Sequence, residues 1–344
     1  MSTDKTSMVP ARRKLLAGMA AAPAVAAATA LPRAAAAAPS APADWYDEET
    51  KQLQKNLASK SGTQIVLLGT GGGPVVGRSR HQTSVLMLHD NDAYMLDFGL
   101  GAVQQFARTG VPFSKIRSMF LTLQRPDHTT DYGPFLLQGW IHGLYPAIQA
   151  YGPPGLTAMT VDYVKAMKTT TDFWAESFDM QPMQPIVTHE FTQGGLVMQD
   201  DIVKVTSTLV KHPPVVPAFG YRFDFKDRSI AFSGDTAPTE AMINLAKGAD
   251  VLVHEAMYVP AMKVSMEADA KRQKVNLDAV AKHMMADHTP VEDAGRIAQA
   301  AGVKELVLYH LAPPAGHVTD EEWTAPAAKF FKGKIIIGQD LMVI

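Results

Sequence analysis

The sequence predicts an α/β protein in which two β-sheets lie face to face between outer layers of helices, an αββα four-layer sandwich. Three observations support this. Short apolar segments typical of buried strands occur in both halves of the chain, helical segments follow strands in each half, and polar residues stand at the strand ends. A doubly wound α/β domain fits the same pattern, so these observations alone leave both architectures open.

The first half opens with an apolar run that ends in glycine, as a buried strand does. Its predicted elements are strands over 64–69, 83–88, 93–97 and 116–122 and a helix over 102–109. The second half repeats this order. Its predicted elements are strands over 202–210, 220–225, 229–233, 251–254, 305–310, 334–337 and 340–344 and helices over 239–246 and 291–301. Residues 157–193 are rich in Met and Thr and weakly patterned, which predicts an insertion over the active face or at a subunit contact.

The N-terminal segment has the layout of an export signal. Arg12 and Arg13 are paired, and a modest, Ala-rich apolar stretch follows over 15–31. We therefore predict a twin-arginine (Tat) signal over 1–38, a linker over 39–62 and one domain over 63–344. This predicts the Tat machinery as a partner and a periplasmic location. The apolar stretch is short and interrupted by Pro23, so no stable membrane insertion is expected.

Composition narrows the chemistry. The 344 residues include 32 Lys and Arg against 34 Asp and Glu, a net charge of −2 that carries no electrostatic footprint for nucleic acid. Hydrophobic residues make up 47% of the chain, which excludes general disorder. Cysteine is absent, so a metal would have to be held by His, Asp or Glu, and eleven histidines are present to supply ligands.

A set of motifs in a fixed order carries a family resemblance. The segments are 68–74, 95–99, 120–122 with 127–134, 212, 233–236, 254–256 and 308–310. In order and spacing they resemble the metallo-β-lactamase superfamily, in its ribonuclease Z and arylsulfatase-like branch, over nearly the whole mature chain. The resemblance implies the αββα fold and a metal-dependent hydrolase.

The resemblance also implies a departure from the family at one metal site. The signature loop Thr-His-x-His-x-Asp-His has Leu123 and Arg125 in place of its first two histidines. The ligands matching the second metal are all present: Asp127, His128, Asp235 and His310. Of the first site only His212 and the shared Asp235 remain, and neither leucine nor arginine binds a cation. We therefore expect one divalent metal, zinc by preference with manganese or iron as alternatives, and His212 as the one further candidate ligand.

Five residues complete the expected site. Arg125 either takes over part of the missing metal's role toward an anionic group or merely pairs with a nearby carboxylate. His212, without a first metal, is a candidate general base or hydrogen-bond donor. Glu255 and His288 match motifs that in this branch assist proton transfer, and otherwise form a supporting pair. Asp97, at a strand end, is expected to support the ligand loop.

These expectations give a function and an alternative. The first is an exported hydrolase that uses a single metal-bound water on a small, aryl-type substrate: an ester, lactone, sulfate or phosphate ester, or an aryl halide. It has no nucleic-acid partner. The alternative is a catalytically inactive binding protein on a degraded scaffold. The retention of one full ligand set, Asp127, His128, Asp235 and His310, favours the enzyme. A homodimer through residues 157–193 is a further open expectation.

Overall fold

The computed structural model of the protein describes residues 47–77, 79–143, 148–273, 276–314 and 318–344. The predicted leader over 1–38 lies outside these residues, as does the first part of the predicted linker. The helices are α1 Glu48–Ala58, α2 Ala102–Arg108, α3 Pro126–Thr129, α4 Tyr132–Ile141, α5 Leu156–Phe178, α6 Glu240–Ala246, α7 Val259–Gln273, α8 Leu277–Asp287, α9 Val291–Ala301 and α10 Asp320–Ala328.

The strands of the described residues form two mixed sheets of seven strands each. Those of the first sheet are β1 Thr63–Gly69, β2 Ser84–His89, β3 Asp92–Leu96, β4 Ile116–Phe120, β5 Gln149–Gly152, β6 Val187–Glu190 and β14 Met342–Val343, in the order β14-β1-β2-β3-β4-β5-β6. Those of the second are β7 Gly195–Gln199, β8 Val203–Leu209, β9 Phe219–Phe225, β10 Ser229–Phe232, β11 Val251–Met257, β12 Glu305–Ala312 and β13 Lys334–Ile337, in the order β13-β12-β11-β10-β9-β8-β7.

The core divides into three apolar layers, which is what an αββα sandwich requires. In β1, Ile65 and Leu67 belong to the layer between the two sheets, whereas Val66 and Leu68 pack toward the helices outside the first sheet. A third layer, around Trp323 of α10, fills the space outside the second sheet. Because β1 is buried on both faces, its sequence is a continuous apolar run rather than an alternating one.

The predicted αββα sandwich is confirmed, and the alternative of a single doubly wound sheet is excluded by the two separate sheets. The segment 157–193 contains all but the first residue of the 23-residue helix α5, and also the strand β6, which is one of the two edge strands of the first sheet. Among the described residues, we find no helix with the length and apolar character that a membrane span requires.

Candidate metal centre

The site residues meet at one end of the two sheets, where strands from both sheets finish. Asp97 follows β3 and the loop over 121–131 follows β4 in the first sheet, while Asp235 follows β10 and His310 lies in β12 of the second. Asp97 and His310 both adopt left-handed backbone conformations, with φ of 58° and 45°. Such values are uncommon outside glycine and cluster where function requires a particular side-chain direction.

The short helix α3 places two of the predicted ligands. Arg125 has an extended backbone, with φ −131° and ψ 150°, and Pro126 starts the helix, where its missing N–H is no loss. The amide of His128 donates to the Arg125 carbonyl at 3.0 Å, and the His128 carbonyl accepts from Phe98 at 2.7 Å. The turn is thereby fixed against the end of β3, with Asp127 and His128 both buried.

The four predicted metal ligands form one buried cluster. Asp127, His128, Asp235 and His310 each offer a ligand atom, and these atoms lie within 4.8 Å of one another. Nε2 of His128 and Nε2 of His310 are each 3.1 Å from Oδ1 of Asp235, and His310 Nε2 is 3.4 Å from Oδ2 of Asp127.

The polar atoms of this cluster fit a divalent cation. Among the described residues, Nε2 of His128 and both carboxylate oxygens of Asp235 are buried with no hydrogen-bond partner. Buried polar atoms without partners are rare unless an ion or water satisfies them. Two imidazole nitrogens and two carboxylates are a donor set that zinc, manganese and iron all accept.

Asp97 orients His128 through a hydrogen bond to the ring nitrogen Nδ1. Its Oδ2 accepts from Nδ1 of His128 at 2.9 Å and from the Thr122 hydroxyl at 2.8 Å, and its Oδ1 accepts from the Thr122 amide at 2.9 Å. Donation from Nδ1 fixes the imidazole tautomer, so Nε2 turns a lone pair toward the cluster. The support role expected of Asp97 corresponds to these contacts.

Arg125 lies beside the cluster, in contact with His212 and Asp127. Its Nη1 is 2.6 Å from Nε2 of His212, and its Nε is 3.5 Å from Oδ1 of Asp127. Nδ1 of His212 donates to the Asp287 carbonyl at 3.0 Å, so Nε2 is the acceptor of the Arg125 hydrogen bond. Burial lowers the pKa of His212 to about 4, which keeps the ring neutral. Both ring nitrogens are therefore engaged, and neither is free to act as a general base in this arrangement.

His288 and Glu255 form a second buried pair beside the cluster. Nδ1 of His288 is 2.8 Å from Oε2 of Glu255, and the Thr236 amide donates to Oε1. Burial, reinforced by the nearby Asp235, raises the pKa of Glu255, and burial lowers the pKa of His288. The two groups thus compete for one proton, which is the property expected of a pair that transfers protons.

The structure brings every predicted site residue to this end of the sandwich. Sequence reasoning missed one grouping: His288 also lies with His212 and Asp235 in a set whose ligand atoms fall within 4.8 Å of one another. The motif over 287–289 was visible, but its position relative to His212 depends on how the segment between α8 and α9 folds back.

Comparison with known proteins supports the same class. A family model described as a beta-lactamase superfamily domain matches residues 93–311. Ribonuclease Z of Mycobacterium bovis (strain BCG / Pasteur 1173P2) is 31% identical over 283 residues, which is 81% of this chain and 96% of the relative.

Two solved structures share the fold. The metallo-beta-lactamase fold protein YhfI from Bacillus subtilis has 18% identity and a TM-score of 0.60, and it covers 82% of this chain and 98% of its own. The short form of human tRNase Z has 20% identity and a TM-score of 0.57, with the same coverage of 82% and 98%. At 18% and 20% identity, the two structures show only that the fold is shared.

A sandwich of this topology with a His and Asp cluster at one end defines a metal-dependent hydrolase. The chain belongs to the metallo-β-lactamase superfamily, in its ribonuclease Z branch. The predictions of fold, family and enzyme class are confirmed. The fold implies a divalent metal.

Two expectations are corrected by the relatives. An exported hydrolase of a small, aryl-type substrate was expected, and nucleic acid was excluded as a partner, yet the matching sequence relatives are named as ribonucleases. The exclusion failed because net charge is a sum over the whole chain and says nothing about the local potential around a single charged group such as Arg125. The export signal itself falls on residues outside the described part and stays a prediction.

Proposed function

We propose that this chain is a metal-dependent phosphodiesterase that acts on RNA, with a centre of one divalent ion. Zinc is the first choice for that ion, and manganese and iron are the alternatives. The observation that carries the proposal is the complete ligand set Asp127, His128, Asp235 and His310 in a chain that aligns with 96% of a ribonuclease Z.

The ligand set defines what the ion contributes. When bound, a divalent cation supplies a Lewis acid and lowers the pKa of a coordinated water toward neutrality. Asp127 and Asp235 contribute negative charge that holds the cation, and Asp97 keeps His128 in the tautomer that can bind it. The side chains of all four candidate ligands are at most 1% exposed, so bulk solvent has little access to them.

Arg125 supplies the positive charge that faces the substrate. Its side chain is 15% exposed, against 0% for its neighbour Asp127, so part of it is accessible to solvent beside the centre. A guanidinium presents fixed N–H donors that match the non-bridging oxygens of a phosphodiester. His212 and Asp127 hold it in place through two contacts, which leaves other N–H groups of the guanidinium for the phosphate. We assign Arg125 the stabilisation of charge on the phosphate in the transition state.

The His288–Glu255 pair supplies the proton for the leaving oxygen. Cleavage of a phosphodiester breaks a P–O bond, and the departing ribose oxygen needs a proton. His288 lies with Glu255 and His310 in a set whose ligand atoms are within 4.8 Å of one another, so the pair adjoins the centre. Glu255, hydrogen-bonded to Nδ1 of His288, orients the ring and balances its charge as the proton moves.

The test uses the full chain, freed of metal and reloaded with one equivalent of zinc or manganese. Substrates are a transfer-RNA precursor, an unstructured single-stranded RNA and a DNA of the same sequence. We expect cleavage of RNA that a chelator abolishes, and loss of both metal and cleavage in His310→Ala. Arg125→Ala, also at one equivalent, is expected to retain its ion and to cleave at least about ten-fold more slowly.

Arg296→Ala, on the outer helix α9, serves as the matched arginine control and should cleave like the wild type. Intact RNA at every metal loading, or cleavage that is equal in wild type and His310→Ala, would overturn the proposed function. An unchanged rate in Arg125→Ala would remove Arg125 from the mechanism and leave it a space-filling partner of His212.

A further inference from the structure

A second group of ligands lies beside the proposed centre. His212 follows β8, Asp235 follows β10, and His288 lies between α8 and α9. One ligand atom from each falls within 4.8 Å of the others, and all three residues are buried. The rings of His212 and His288 have centroids 5.0 Å apart and meet at 69°, so they converge rather than stack.

The hydrogen bonds of these residues leave ligand atoms facing one another. His212 donates Nδ1–H to the Asp287 carbonyl, which leaves a lone pair on Nε2. His288 engages Glu255 through Nδ1, so Nε2 is its remaining nitrogen. Within the described residues, neither oxygen of Asp235 accepts a hydrogen bond, and one carboxylate can bridge two cations. Two imidazoles and a carboxylate are three protein ligands, the number that an open zinc site uses.

Arg125 takes up the lone pair that a cation in this group would need from His212. A neutral imidazole has one lone pair in the ring plane, and the lone pair on Nε2 of His212 accepts from Arg125 Nη1 at 2.6 Å. A zinc ion would need that same lone pair at about 2.0–2.1 Å. The guanidinium is also positively charged and would repel a divalent cation beside it.

We propose that Arg125 excludes a second divalent ion from a three-ligand site formed by His212, Asp235 and His288. This site differs from the family's first site, because His288 takes the place of the ligands absent at Leu123 and Arg125. The inference builds on the one-ion centre of the proposed function, but it does not depend on which substrate that centre cleaves.

The test counts ions per chain and needs no activity. Metal-free full-length protein is titrated with Zn²⁺ in a calorimeter, and the stoichiometry is checked by elemental analysis after gel filtration. We expect one ion in the wild type and two in both Arg125→Ala and Arg125→Met, the latter chosen because it preserves the volume of the side-chain stem. The double variant Arg125→Ala/His288→Ala should return to one ion, and Arg296→Ala should hold one.

Each other outcome is decisive. Two ions in the wild type, or a single ion in both Arg125 variants, would overturn the exclusion by Arg125. Two ions in the Arg125→Ala/His288→Ala variant would overturn the assignment of His288 as a ligand. A wild type that holds no ion would overturn the one-ion centre and this inference together, whereas one ion without RNA cleavage would overturn only the substrate.

Discussion

The exchange Asp97→Asn tests whether tautomer control sets the affinity of the centre for its metal. The carboxylate of Asp97 accepts three hydrogen bonds, at 2.8 to 2.9 Å, from the Thr122 amide, the Thr122 hydroxyl and Nδ1 of His128. Asparagine retains one oxygen. If that oxygen stays with the Thr122 amide, the new NH₂ group faces the Nδ1–H of His128, and two donors meet.

His128 can relieve this clash only by moving its proton to Nε2, the atom that faces the ligand cluster. The exchange therefore removes the metal-binding lone pair of His128, although His128 itself is unchanged. Loss of such a supporting contact typically weakens metal binding by about 10–100-fold, which corresponds to about 1.4–2.7 kcal/mol of binding free energy. A lost hydrogen bond to a charged group also lowers the free energy of unfolding by about 1.5–3 kcal/mol.

Competition with a chromophoric chelator measures the affinity, and chemical unfolding of the metal-free protein measures the stability. Asp250→Asn is the matched control, because Asp250 also accepts two hydrogen bonds at 2.8 Å, from the amide and hydroxyl of Ser229, but at the opposite end of β10. The control should lose stability and keep its metal affinity. If Asp97→Asn binds zinc as tightly as the wild type, or no more weakly than the control, the tautomer argument is refuted.

Three further predictions follow from other contacts. Gly72→Ala should release the metal, because a Cβ at residue 72 would lie 2.7 Å from both Nδ1 and the backbone oxygen of His310 and would displace that residue; metal retention after gel filtration checks it, and normal retention contradicts it. Burial lowers the pKa of His254 to about 4. Between pH 6.5 and 4, His254 is therefore protonated in the unfolded chain and neutral in the folded chain. The free energy of unfolding should therefore fall between pH 6.5 and 4, by up to about 3 kcal/mol from this group, and urea unfolding of His254→Gln should show a shallower fall. Removal of metal by a chelator should lower the melting temperature of the wild type but not of His310→Ala, and equal shifts would contradict metal binding at this cluster.

Much of the fold was accessible from the sequence because burial leaves a local pattern. The run over 64–69 is apolar on both faces, and β1 is observed at Thr63–Gly69 with every residue buried. The helix predicted over 291–301 is observed as α9, and Gly302 ends it in the left-handed conformation. The helix α5 was missed because its surface is largely polar: only Leu156, Thr160, Thr171 and Ala175 of its 23 residues are buried, which is too sparse a set for a clear period.

The sequence predicted which side chains would meet at the site, but not which contacts they would make. Motif order indicated Asp127, His128, Asp235 and His310, but a sequence does not show which partner a long side chain selects. Arg125 had been weighed as a partner of carboxylates, and its shortest contact is with the imidazole of His212. The contact between Arg125 and His212 depends on the Asp287 carbonyl, which is 75 residues from His212 in the chain and fixes the tautomer of its ring.

The four candidate ligands come from both sheets, and this determines how metal binding would affect the free energy of unfolding. Asp127 and His128 follow β4 of the first sheet, whereas Asp235 and His310 belong to the second, so a bound ion joins the two sheets at one end. The sheets do not depend on that join, because an apolar layer lies between them along their length. An ion bound by these four residues would therefore add stability to a core that is already packed between the sheets. At a free concentration about 1,000 times the dissociation constant, that addition is about 4 kcal/mol, and its structural effect is concentrated in the loops that carry the ligands.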